Sequence, residues 1–145
     1  MGQRIDQFCE DLRLKLTGID SGLMSLKAKI DAKNQQADDA VRVRLEGVRS
    51  RIDQDHAKVL TARGQMTAWV ETRKAATKEA IAEWKAQRES SKLQHRADKA
   101  EEYAAAALVV ALSAVDEAEQ AALEAWLARQ DADFVQAPKT ASVVN

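Results

Sequence analysis

Between residues 97 and 132, alanine recurs at alternating steps of three and four residues without an exception. Only three other alanines occupy the remaining 25 positions of this segment, so the spacing is not a by-product of an alanine-rich composition. Steps of three and four residues place side chains on one side of an α-helix. We call these residues the alanine row: Ala97, Ala100, Ala104, Ala107, Ala111, Ala114, Ala118, Ala121, Ala125, Ala128 and Ala132.

The alanine row predicts close helix packing. The distance between two helix axes depends on the side chains at the contact and is usually 8–10 Å, so a contact made of methyl groups favours the low end. The pattern resembles the alanine-rich antiparallel coiled coils of many unrelated proteins, a packing arrangement that implies a helix lying in the alanine groove. The segment therefore predicts a helix over about 91–132 with a partner helix along the row.

The preceding segment, from residue 3 to residue 89, contains no proline, and its apolar residues also recur at steps of three and four. Two periods fit: an 11-residue period throughout, and a heptad from Leu45 onward through Ile52, Val59 and Met66. The phase continues through Gly18 and Gly22, which predicts a helix that is continuous there. We expect one very long first helix over about 3–89, roughly 130 Å in length. A bend in the polar residues 31–38 stays open.

The fold class expected is therefore all-α, a long antiparallel helical hairpin or coiled coil. A turn at Ser90–Ser91 would place Trp84 opposite Ala97 and Val70 opposite Ala111. Residues 1–89 carry 17 basic and 14 acidic side chains and residues 90–145 carry 5 and 9, so opposite charges favour the pairing. The predicted helix–helix interface comprises the alanine row from Ala97 to Ala125 with Val59, Met66, Val70, Ile81 and Trp84.

The second helix is too short to cover the first, so apolar residues near the N-terminus need another partner. Either the chain bends at 31–38 and this arm folds back as a third helix, or another chain covers it. Because the unbroken phase argues against a bend, we expect a homo-oligomer. The predicted oligomer or partner face consists of Phe8, Leu12, Leu16, Ile19, Leu23 and Ile30.

Composition and targeting signals set the remaining expectations about class and compartment. Five glycines and one proline in 145 residues are too few for the turns of a sheet protein. Residues 1–134 are expected to form a single elongated helical domain, with 135–145 as a flexible tail. Cys9 is the sole cysteine, and the charged N-terminus lacks a secretory signal, which indicates a cytoplasmic protein.

The sequence offers no reaction chemistry. The only two histidines are far apart, and Asp53, Asp55 and His56 are interpreted as a solvated face because metal sites need three or four converging ligands. Without a phosphate loop or nucleophile motif, we expect no enzyme, no cofactor and no small-molecule substrate. A basic patch, Arg42, Arg44, Arg49 and Arg51, could meet phosphate or lipid headgroups. We favour its pairing with the acidic C-terminal segment or with Asp53 and Asp55.

Two functions remain for such a chain. The first is a structural or adaptor protein that associates with itself or with a helical partner. The second is a peripheral lipid-surface protein, since the 11-residue period is similar to that of exchangeable apolipoproteins and desiccation-protective helical proteins. The polar side of the helix mixes both charge signs, which weakens the membrane-surface interpretation. A net charge of −1 provides no general attraction for nucleic acid.

Overall fold

A computed structural model describes residues 2–32 and 35–136, and four helices make up nearly all of this part. They are α1 (Gly2–Asp31), α2 (Gln35–Ala75), α3 (Lys78–Ala86) and α4 (Ser90–Gln136). The described part contains no strand, so the prediction of an all-α fold is confirmed. The predicted tail starts inside the last two residues of α4, and residues 137–145 lie outside the described part.

The prediction of one very long helix over about 3–89 is wrong, because the chain breaks twice in this interval, and the first break lies at 31–38, where the sequence leaves a bend open. The first break follows Asp31 and lies in the polar segment 31–38, where few apolar side chains hold the helix against a neighbour. By contrast, α1 is continuous through Gly18 and Gly22, as predicted. The polar stretch, and not the pair of helix-disfavouring glycines, is the stronger signal for where this segment ends.

The second break, at Ala76 and Thr77, separates α2 from α3. The Thr77 hydroxyl accepts a hydrogen bond from the Ala80 backbone N–H at 3.1 Å, which is the ordinary geometry of a helix N-cap. At the far end of α3, Glu89 N–H donates to the Trp84 carbonyl and Arg88 N–H donates to the Lys85 carbonyl. These two bonds form a Schellman motif, and Arg88 adopts the left-handed conformation (φ 54°) that glycine usually supplies.

Helices α2 and α4 lie side by side in opposite directions, in a register that differs from the predicted one. The ring of Trp69 is 6.0 Å from that of Tyr103. A turn at Ser90–Ser91 would instead bring Trp69 close to Leu112. The register is shifted by about two and a half turns because the short helix α3 occupies residues that the prediction assigned to the pairing.

Helix α1 folds back, so the third-helix alternative holds for the described part of the chain. The buried cluster consists of Val41, Leu45, Val48 and Leu123, and Leu26 and Ile30 of α1 pack against it. At the other end of α1, the Arg4 guanidinium donates to the Glu101 carboxylate at 2.7 Å. Helix α1 therefore runs antiparallel to α2 and in the same direction as α4, and the three helices share one core.

Candidate interaction surface on helix α4

The basic patch on α2 is largely paired with α4. Arg44 forms an ion pair with Glu119, Arg49 with Glu124 at 2.9 Å, and the Arg51 guanidinium donates to Asp116 at 3.0 Å. The fourth arginine, Arg42, pairs with Asp38 one turn earlier in α2, at 2.8 Å. Pairing with the acidic C-terminal segment is confirmed for three of the four arginines.

Two of these carboxylates lie inside the contact between α2 and α4. The side chain of Glu119 is 8 % exposed and that of Asp116 is 14 % exposed. The hydrogen bond from Arg51 to Asp116 raises the pKa of the Arg51 guanidinium, so this cation stays charged. On the other side, the Arg44 guanidinium lies 3.6 Å from the position of a Cβ on Gly22 of α1. Arg44 of α2 therefore pairs with α4 and lies close to α1.

Sequence reasoning overlooked Asp116 and Glu119 as interface residues because it assigned the contact to the alanines. The available signal was the spacing of opposite charges. Arg44 and Arg51 are seven residues apart on α2, and Asp116 and Glu119 are three apart on α4, so each pair lies on one helix side. Charges buried in such a contact discriminate between registers, because a shift leaves them unpaired.

The second half of the alanine row points away from α2. Ala111, Ala114, Ala118, Ala121, Ala125 and Ala128 are all exposed. The buried residue of this part of α4 is Leu123, at 3 % exposure, two positions from both Ala121 and Ala125. Two positions correspond to about 200° around a helix, so Leu123 and the alanines lie on opposite sides. The prediction that these alanines face α2 is wrong.

The first half of the row is covered in part, and by a different helix. Ala97, Ala100, Ala104 and Ala107 are half-buried. Ala104 lines a groove between α1 and α4 together with Ile5 and Phe8 of α1. The first half of the alanine row therefore packs in part against α1.

The remaining predicted interface residues divide between covered and exposed positions. Val59 is buried, Met66, Ile81 and Trp84 are half-buried, and Val70 is 47 % exposed. In α1, Phe8, Leu12, Ile19 and Ile30 are half-buried, whereas Leu16 and Leu23 are 53 % and 41 % exposed. Along α2 the heptad describes the covered side better than the 11-residue period does. Met66 and Trp69 continue the covered side, while Val70 leaves it.

We call the uncovered side of α4 the outer face; it comprises the six exposed alanines and the residues beside them. Val115, Ala122 and Arg129 flank the alanines on one edge, and Glu117 and Glu124 flank them on the other. Hydrogen bonds from Arg49, and then from Gln120, lower the pKa of Glu124. The outer face is thus smooth and apolar along its centre, with one acidic edge and one mostly apolar edge.

Other candidate positions are isolated. In residues 2–32 and 35–136, no three His, Cys, Asp or Glu side chains converge as metal ligands would. Asp53 and His56 are exposed and Asp55 is half-buried. Cys9 is an exposed free thiol. The same part of the chain has no helix apolar enough along its length to span a membrane.

No protein-family model, no curated protein and no solved structure matches this chain.

Proposed function

We propose that this protein is a non-enzymatic structural or adaptor protein that acts through helix–helix association, and that two copies pair through the outer faces of α4. The observation that carries the proposal is the regular row of alanines on the side of α4 that no described residue covers. The high helix propensity of alanine explains its abundance there, but it does not explain why the alanines share one side.

Packing geometry supports a helix as the partner. Six alanines from Ala111 to Ala128 extend along about 25 Å of helix, and no bulky side chain interrupts the row. A second helix with the same surface can approach until the two helix axes are about 8 Å apart. Val115 at the edge, which is 37 % exposed, would lose its contact with water in such a pair.

The flanking charges favour a parallel pair of α4 helices over an antiparallel one. In a parallel pair, an edge residue faces the residue five positions later on the partner, so Glu124 of each copy meets Arg129 of the other. An antiparallel pair centred on the row instead brings Glu117 close to Glu124 of the other copy, and like charges repel. The arrangement of charges on the two edges thus favours the parallel orientation.

Association is tested by the mass of the full-length protein in solution. Sedimentation velocity from 5 to 500 μM is expected to show a concentration-dependent dimer. Ala118→Leu places a bulky side chain in the centre of the outer face and is expected to shift the protein to monomer. Ala57→Leu, at an exposed position of α2, is the matched control and should dimerise like the wild type. A wild-type monomer at 500 μM would overturn the proposal.

Orientation is tested by disulfide cross-linking in a Cys9→Ser background. Ala111 and Ala128 are about 25 Å apart along α4, far beyond the reach of a disulfide. In a parallel pair, Ala111→Cys alone and Ala128→Cys alone each form a symmetric cross-link. In an antiparallel pair centred on the row, neither forms one, and only a mixture of the two variants cross-links.

A peripheral lipid-surface role is the second candidate, and the exposed side chains of α1 favour it. Ile5, Leu16 and Leu23 lie along one side of α1 and are each 41–53 % exposed. Flotation with anionic phosphatidylserine vesicles separates the two functions. Binding that is lost in Leu16→Gln but kept in Ala118→Leu would support the lipid role, whereas a dimer that does not float supports the structural one.

A further inference from the structure

An open-sided cavity of about 330 Å³ lies at the end of the molecule where α2, α3 and α4 meet, and most of the residues that line it are exposed. Ala75, Ala76 and Trp84 provide apolar walls, and Lys92, His95 and Arg96 of α4 provide basic ones. Sites for small organic ligands in proteins have volumes of roughly 300–1,000 Å³ and combine an apolar lining with a few polar groups. This cavity therefore has the size and the division of surfaces of a small-ligand site.

The basic walls carry more positive charge than their surroundings neutralise. Lys92 and Arg96 are one helical turn apart, so both side chains lie on the same side of α4. Lys92 approaches Glu89 at 3.5 Å. Neither His95 nor Arg96 forms an ion pair with any other residue in the described part of the chain. An anion at this cavity would meet at least one uncompensated guanidinium, which binds carboxylate and phosphate groups with two parallel hydrogen bonds.

The apolar walls offer a flat surface next to those cations. Trp84 is half-buried, and the Lys92 ammonium lies 5.8 Å from the centre of its ring. Ala75, the last residue of α2, and Ala76, which follows it, also line the cavity. A planar ring could lie against the indole while its acidic group reaches Arg96.

We propose that this cavity binds a small amphipathic anion, a planar apolar group that carries one carboxylate or phosphate. The apolar group lies against Trp84 and the anionic group pairs with Arg96 and Lys92. The Ser91 hydroxyl, which also lines the cavity, donates a further hydrogen bond to the anion. This site is separate from the outer face of α4, whose first alanine, Ala111, lies about four turns farther along the helix.

Binding is tested on the full-length protein by the indole N–H signals in ¹H–¹⁵N NMR, with Trp84→Phe identifying the Trp84 signal. The probes are 2-naphthoate, 2-naphthyl phosphate, inorganic phosphate and the neutral 2-naphthalenemethanol. We expect the two naphthyl anions to shift the Trp84 signal in a saturable manner, each at least tenfold more tightly than inorganic phosphate or the neutral alcohol. The stronger of the two anions identifies the preferred acidic group.

Charge dependence is tested by the double variant Lys92→Gln/Arg96→Gln, which we expect to weaken naphthyl-anion binding at least tenfold. Arg73→Gln is the matched control, because Arg73 is an exposed arginine at the end of α2 that does not line the cavity. Its affinity should stay within twofold of the wild type. Either no shift of the Trp84 signal at 5 mM probe, or equal affinities for the double variant and the wild type, would overturn the proposal.

Discussion

Two sides of α4 can be compared between residues 111 and 128, and the buried side has the less regular sequence of the two. The side that packs on α2 is irregular and partly charged, with Asp116, Glu119 and the buried Leu123. The side that faces away from α2 is the regular one, made of alanines at every third or fourth position. A regular spacing of alanines shows that these residues share one side of the helix, but it does not show which helix, if any, packs against that side.

The two sides of α4 also differ in what they determine: the charged side determines the register between helices, and the alanine side permits two helices to pack closely. Salt bridges between α2 and α4 favour the observed register, in which Arg44 pairs with Glu119 and Arg51 pairs with Asp116. A row of identical methyl groups fits equally well after a shift of one heptad, so it fixes no register by itself. An alanine surface needs flanking charges, such as Glu124 and Arg129, to choose an alignment.

The largest effect on stability is expected at the centre of the covered side. Leu123→Ala removes a side chain that is 3 % exposed and leaves a cavity beside Val41 and Val48, which should lower the free energy of unfolding by about 2–5 kcal/mol. Urea denaturation below 5 μM measures this effect without a contribution from association. Leu60→Ala, at a leucine that is 58 % exposed, is the control and should change the free energy by less than about 0.5 kcal/mol.

Enlarging one alanine on each side of α4 compares the two sides directly. Ala106 is 1 % exposed, so Ala106→Leu should overpack the contact and lower the free energy of unfolding by about 1–3 kcal/mol. Ala111→Leu, at an exposed member of the alanine row, should change it by less than about 0.5 kcal/mol in the monomer. Thermal unfolding of dilute protein provides the measurement. Equal destabilisation by both variants would mean that the outer face is covered within the monomer.

A smaller effect is expected where charge, and not apolar area, is removed from the covered side. Glu119→Gln takes a negative charge from between Arg44 and Arg51 and should lower the free energy of unfolding by about 1 kcal/mol. The loss stays modest because both arginines are a third or more exposed and remain hydrated. Glu117→Gln, an exposed glutamate on the outer face, should have no measurable effect in the monomer. A larger loss of stability in Glu117→Gln than in Glu119→Gln would mean that the outer face, and not the side with Glu119, packs on α2.

The spacing of apolar residues along the sequence correctly predicted α4 and the continuity of α1. The second predicted helix, over about 91–132, corresponds to α4, and continuity of α1 through Gly18 and Gly22 was also predicted. Pairing of the arginine patch with acidic residues followed from charge alone. These features depend on residues within a few turns of one another, which is the range over which helical spacing carries information.

The helix breaks and the α2–α4 register could not be predicted from the spacing of apolar residues. They depend on which helices pack against one another in the folded protein. A helix that carries its apolar phase through residues 31–38 satisfies the pattern as well as one that folds back. The choice depends on the core that Leu26 and Ile30 reach by returning. Thr77 was the one local signal for the second break, since threonine before Lys78 and Glu79 is a common N-cap arrangement. Overlooking α3 displaced the predicted register.

The smallest predicted effect concerns Glu124, which stands at the edge between the two sides of α4. The hydrogen bond from Arg49 lowers the pKa of Glu124 below its ordinary value of 4.5. A carboxylate with a lowered pKa stabilises the fold above that ordinary value, and this contribution is lost as the pH falls below 4.5 through the lowered pKa. Titration of the Glu124 side-chain carbon by NMR measures the shift. Arg49→Gln should return the pKa toward 4.5.

Arg129→Gln is the matched variant on the opposite edge of the outer face. In dilute protein it should leave the pKa of Glu124 unchanged, because Arg129 forms no ion pair with Glu124 within the described chain. At concentrations where the proposed parallel dimer forms, Arg129 of the second copy approaches Glu124, so the same substitution should raise this pKa. If Arg49→Gln leaves the pKa of Glu124 unchanged, the ion pair between α2 and α4 is contradicted. If Arg129→Gln leaves this pKa unchanged in a demonstrated dimer, the parallel orientation is contradicted, because only that orientation brings Arg129 of one copy close to Glu124 of the other.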